Sequence, residues 1–286
     1  MARESHGKNT GAFFMATLVL WLLSVVFEII FHKRTELAYV LVGCCFYQIA
    51  NWVIRFSVFR DPLSVNTSVS LLHSSITSVS GYVYIHFIIS CAVIFILVNQ
   101  WATKGLGTIF DHAQLFGGTW PGAYLALCFS CGYFAYDQWD MLQYRLYSGW
   151  IPSILVHHLI LLVCFTLALY RRVTVNYLIL TLICELHSIF LHVRKVRRIV
   201  GVRDKNSKVV RAEWALNWIT FFVARVCSHI LITVKLIRDA SKFGKGVELP
   251  LALFGMAGMN LLNVFLGLDL FKAYRREKNQ HPRHQE

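Results

Sequence analysis

The chain has 286 residues, 56% of them hydrophobic and 14% aromatic, with a formal net charge of +13. Its apolar residues gather in blocks about twenty residues long, the length needed to cross a bilayer, so the class is an all-α polytopic membrane protein. The eight cysteines lie in or beside those blocks, which argues against a disulfide scaffold. With no stacking motif or basic fold, the charge marks a membrane surface and not nucleic acid.

About eight transmembrane spans are predicted, near residues 11–31, 38–58, 68–98, 121–142, 151–170, 174–193, 213–236 and 249–272. The first follows the polar stretch Met1 to Thr10 and has no small-residue cleavage site before Glu28, so it reads as a retained anchor. It forms an N-terminal region with the second span, residues 1–59. The third, which carries His73, is long enough to tilt or to end in an interfacial piece around Gln100 and Trp101. In the fourth, Cys128 and Cys131 lack a second pair to complete a zinc site and read as packing residues, so no metal is predicted. Tyr133, Asp137 and Asp140 follow at spacings that share one helical face, with Asp137 the deeper acid, facing a cavity or a basic partner.

The fifth span holds Val156-His157-His158-Leu159. Ionisable side chains at membrane depth are costly and mark function by default. Successive helical residues point about 100° apart, so one imidazole faces the interior and the other an adjacent helix. A histidine can move protons or act as a nucleophile, and a carboxylate can orient it. The sixth span supplies Glu185, Ser188 and His192 on one face, with the two histidines as the nearest bases; His187 falls elsewhere and reads as packed or interfacial. In the seventh, Asn217 and a mid-span Arg225 sit among aromatic residues. Arginine stays charged, so Arg225 calls for a buried acid, with Glu185, Asp137 and Asp269 as candidates. Asn260 and Asn263, one turn apart in the eighth span, read as interhelical hydrogen bonders. Residues 276–286 read as a disordered basic tail.

With eight spans, one side holds about eighteen Lys and Arg and the other about nine, which predicts cytosolic termini. The densest run, residues 194–211, fixes topology and can touch anionic headgroups. The sequon at Asn66 then lies on the cytosolic side, where glycosylation does not occur.

The order Asn66, His73-Ser74, Gly132-Tyr133 with Asp137, His157-His158, Glu185 with Ser188-Ile-Phe-Leu191, then Asn217 and Arg225 resembles the TLC domain. That family is named after translocating-chain-associated, longevity-assurance and CLN8 proteins, and the resemblance covers roughly residues 60–275. It is strongest toward the branch of TLC domain-containing proteins 1 and 2, through Phe129 to Phe134, Val156-His-His and Ile189-Phe-Leu; the extra N-terminal span departs from the family. The resemblance implies six helices around a lipid-sized cavity. It matches His157 and His158 to the catalytic pair of ceramide synthases and Glu185 to their first acid, whereas Ser188 occupies the place of the second, which argues against ceramide synthesis. It implies lipid contact for His73, Tyr133, Asp137, Asp140, Ser188, Asn217 and Arg225. The implied function is regulation of membrane phospholipid acyl composition and fluidity in the plasma membrane or endoplasmic reticulum. The alternatives are a lipid acyltransferase using His157, His158 and Glu185, with acyl-CoA as co-substrate and no other cofactor, and a cargo receptor or chaperone. Membrane lipids are the expected partners; oligomerisation is left open.

Overall fold

The computed structural model describes residues 2–79, 93–147, 153–201 and 207–279, with the side chains of 2–9, 106 and 108 excepted. Every regular element in them is helical. In chain order these are α1 (Ala2–Ile30), α2 (Ala38–Ser57), α3 (Pro62–Val79), α4 (Val93–Lys104), the short α5 (Leu106–Ile109) and α6 (His112–Phe116), α7 (Ala123–Tyr144), α8 (Ser153–Arg171), α9 (Val175–Thr181), α10 (Glu185–Ile199), α11 (Lys208–Thr220), α12 (Ser228–Arg238) and α13 (Glu248–Asn279). A 3-10 turn at Leu182–Cys184 joins α9 to α10, and a π-helical stretch at Phe221–Cys227 joins α11 to α12.

Among the described residues six stretches are long and apolar enough to cross a membrane: 10–30, 35–57, 153–171, 175–199, 208–238 and 248–279. Their outward faces carry Leu20, Phe56, Val223, Leu231 and Phe254, all exposed, as lipid-facing residues should be. The expected fourth span is α7, which is long enough to cross. Its polar residues turn inward, and the helix is buried along most of its length. The expected third span runs partly through residues 80–92, outside the described ones.

Helix boundaries follow local chemistry. Helix α3 begins at Pro62, six residues before the expected start, because Asp61 caps it: Ser64 donates to Asp61 Oδ2 from its amide and from its hydroxyl, each at 2.9 Å. Its polar first turns point at buried acids, so they fold into the bundle and not into a loop. Ser207 caps α11, accepting from the Val209 amide at 3.2 Å. Helix α13 runs to Asn279, four residues into the predicted tail, and 280–286 lie outside the described residues. Helix α10 continues to Ile199, where Arg197 pairs with Glu213 at 2.9 Å and Arg194 lies 4.5 Å from the Trp214 ring centroid. Part of the basic run is thus engaged within the protein.

The core is the α2–α7 contact. Gly43 and Gly132 let the two backbones touch: a Cβ on Gly43 would lie 2.8 Å from the Phe129 carbonyl oxygen. One and two turns further along, Tyr47 and Asn51 on α2 face Tyr136 and Asp140 on α7. Helix α8 packs on the other side of α7, α10 lies along α3, and α13 closes on α8 and α12. At the far end Arg34, in the turn between α1 and α2, ties that turn to α8 by donating to the carbonyls of Leu169 (2.8 Å) and Tyr170 (2.5 Å).

Candidate functional site

Two polar centres meet at the adjacent histidines. The first is a buried network between α2, α3, α7 and α8. Asn66 donates to Asp137 Oδ1 at 2.7 Å and to Asp140 Oδ2 at 3.0 Å, while Asn51 donates to Asp140 Oδ1 at 3.0 Å and to the Tyr136 hydroxyl at 2.7 Å. His158 Nε2 lies 3.3 Å from Asp137 Oδ2, and its Nδ1 is buried without a partner. Both acids are almost fully buried, and each spends its lone pairs on amide donors, which is what makes such burial tolerable. Beside the network His73 stacks on Tyr133 at 3.7 Å and 7°, with Tyr47 Oη 3.0 Å from its Nδ1.

The second centre is a cleft between α7, α8, α9, α10, α12 and α13. Its walls are mainly aliphatic and aromatic, including Phe134, Leu161, Phe165, Ile232 and Met256. His157, Glu185 and His229 are among its lining side chains. Ser74 of α3 donates to Glu185 Oε2 at 2.6 Å. His229 Nδ1 lies 2.7 Å from Asn263 Nδ2. The greasy lining with a few polar groups is that of a small-molecule or acyl-chain site. Tyr177 and Ile232 also border a second groove that carries Lys235 and Arg238.

Two departures from α-helical geometry lie in the helices that border this cleft, and the 3-10 turn contributes Leu182 and Cys184 to its lining. The 3-10 turn before Glu185 and the π stretch around Arg225 pack on each other, and irregular turns within long helices recur at functional positions. The guanidinium of Arg225 donates from Nε to His187 Nδ1 (3.1 Å) and from Nη2 to Ser188 Oγ (2.8 Å) and the Cys184 carbonyl (3.4 Å). Among the described residues no carboxylate lies within 4 Å of it, so the expected buried acid is replaced by neutral acceptors. The helix irregularity supplies part of the reason, because the carbonyl at the 3-10 turn is free to accept.

The comparisons with known proteins agree with this architecture. The family model described as TLC domain, TRAM_LAG1_CLN8, matches residues 63–272. The chain belongs to the TLC domain family. It is 25% identical over 200 residues to TLC domain-containing protein 2 of Danio rerio, covering 61% of this chain and 77% of that one. It is 27% identical over 188 residues to TLC domain-containing protein 1 of Homo sapiens, covering 63% and 69% respectively. No solved structure matches. This TLC chain is therefore an integral multi-pass membrane protein of a family whose membership points to a lipid-related role.

Within the TLC bundle the candidate residues separate. His157 and Glu185 line the cleft. His158 turns away toward Asp137, so the acid that touches the histidine pair is Asp137 and not Glu185. His73, Tyr133, Asp137, Asp140, Ser188, Asn217 and Arg225 are buried between helices and none of them lines the cleft. Asn217 is spent on the Phe190 and Glu213 carbonyls at 3.2 and 2.9 Å. The separation arises because helical residues three and four apart share a face but not a neighbour. Cys128 and Cys131 are buried and form no disulfide among the described residues, where no group of three metal-ligating side chains comes together. His229 is absent from the sequence-derived set, although two signals pointed to it: it lies one turn after Arg225, and Asn263 needed a partner.

Proposed function

We propose that this protein regulates membrane phospholipid acyl composition by holding an acyl chain in the cleft. The observation that carries the reading is the cleft itself, whose mainly apolar walls include His157, Glu185 and His229, as a site for a lipid tail with its polar linkage requires. The family resemblance supports the same role. The test is acyl-chain lipidomics of cells lacking the protein, rescued with wild type or with Ala252→Trp, which fills the cleft from α13, at matched membrane levels. Restoration by wild type and not by Ala252→Trp is expected; equal restoration would refute a role for the cleft.

A second reading, acyl transfer, is favoured by one contact, that of His158 with Asp137. In it Asp137 orients the His158 ring as a base, with a free histidine, His157, in the adjacent cleft wall. Its signature would be a matched loss of one lipid class and gain of another, abolished by His158→Ala.

A further inference from the structure

His229 is fully buried on α12 and lines the cleft. The amide nitrogen of Asn263, on α13, donates to its Nδ1 at 2.7 Å, which makes Nδ1 the acceptor and places the ring proton on Nε2. Nε2 makes no hydrogen bond of normal geometry and has only a weak interaction with the Thr181 backbone. The pair is itself held in place. One turn along, Asn260 donates to Thr233 Oγ1 at 2.9 Å, and Thr233 donates to the His229 carbonyl at 2.7 Å. A buried donor left unmatched is costly, and a ring keyed from behind presents its free edge in a fixed direction.

We propose that His229, keyed by Asn263, donates a hydrogen bond to the ester carbonyl of an acyl lipid whose chain fills the cleft. The inference rests on the lipid-holding reading and names the ligand class. The donor selects an oxygen acceptor. Glu185, the acidic residue of the same lining, is held by Ser74 and disfavours a ligand carboxylate, which points to a neutral ester and not a free fatty acid. An alkyl ether of the same length lacks the carbonyl and makes the discriminating comparison.

The experiment uses the full chain in nanodiscs with diazirine-bearing phosphatidylcholine, as the diacyl ester and as the dialkyl ether of equal chain length, scoring photolabelled cleft peptides. Wild type is expected to label with the ester about five-fold over the ether, the scale of one neutral hydrogen bond. His229→Phe should bring that ratio to about one while hydrocarbon labelling persists, Asn263→Leu should lower it, and His229→Gln, which keeps a donor, should restore part of it. Cleft labelling with no ester preference in wild type, or a preference unchanged in His229→Phe, overturns the assignment of His229 and leaves the lipid-holding reading standing. No cleft labelling by either lipid overturns both.

Discussion

Gly132→Ala tests whether the α2–α7 contact sets the register of the buried network. A Cβ at Gly132 would lie 2.8 Å from the Cys44 amide nitrogen and 3.0 Å from the Gly43 carbonyl carbon, and it would also collide with the Val40 carbonyl oxygen. Carbon contacts are comfortable at about 3.5–4.0 Å, so the helices must part by about 1 Å. The obstructing atoms are backbone, which cannot rotate away. Overpacking of this kind costs about 1–3 kcal/mol, and rigid obstruction puts this site near 3. At about 2–4 °C per kcal/mol for a chain of this size, the melting temperature should fall by about 6–12 °C. The consequence reaches the site, because Gly132, Tyr136 and Asp140 lie on one face of α7 opposite Gly43, Tyr47 and Asn51. Parting the helices therefore draws Asn51 away from Asp140. Tryptophan-fluorescence melting in nanodiscs measures the effect, with Gly107→Ala, whose Cβ meets nothing within 4 Å, as the control. A Gly132→Ala melting temperature within about 2 °C of wild type would refute the reasoning.

Three further outcomes are expected. Asp137→Asn is isosteric and should still restore the acyl profile, because holding a lipid needs the cleft walls and not a proton-transfer pair; lost rescue at wild-type protein levels in the lipidomics assay would move the assignment to acyl transfer. Arg225→Gln keeps an amide to donate to His187 or Ser188 and removes a cation that no nearby acid neutralises, so it should melt at or above wild type; a fall of more than about 5 °C would show the charge to be net stabilising. Asp239, just beyond the end of its span, is buried, which pushes its carboxyl up, but hydrogen bonds from Lys235, Lys242 and Tyr177 win and bring it down to about 2; His112 lies 3.4 Å away. A depressed carboxyl contributes stability above its unfolded value near 3.8 and loses it as pH falls toward 2, here roughly 1–2 kcal/mol after screening. The melting-temperature gap between wild type and Asp239→Asn should thus be constant from pH 7 to 5 and close below pH 4, and a gap that widens in acid would contradict it.

Much of the fold was legible because apolar periodicity and length fix membrane helices: α2, α8 and the stretch from α11 to α12 begin and end near where the residues place them. The start of α3 was missed because Ser64, Asn66 and Thr67 read as loop residues, and only a buried partner such as Asp137 makes them helical. The site was legible as a set of residue types and not as a set of neighbours. Asp137 and the histidine pair stand twenty residues apart in sequence, and no pattern says that His158 turns to Asp137 while His157 faces the cleft. The uncompensated Arg225 depends on a π-helical stretch and a 3-10 turn, local geometries that leave no periodic trace. His229 needed the α12–α13 contact before its Asn263 key could be seen.

The most direct test of the central claim is native mass spectrometry of the full chain released from nanodiscs, comparing wild type with Ala252→Trp at equal thermal stability. An acyl lipid retained in near-stoichiometric amount by wild type and lost from Ala252→Trp is the predicted result. Lipid carried equally by both, or by neither, would contradict the claim that the cleft holds an acyl chain.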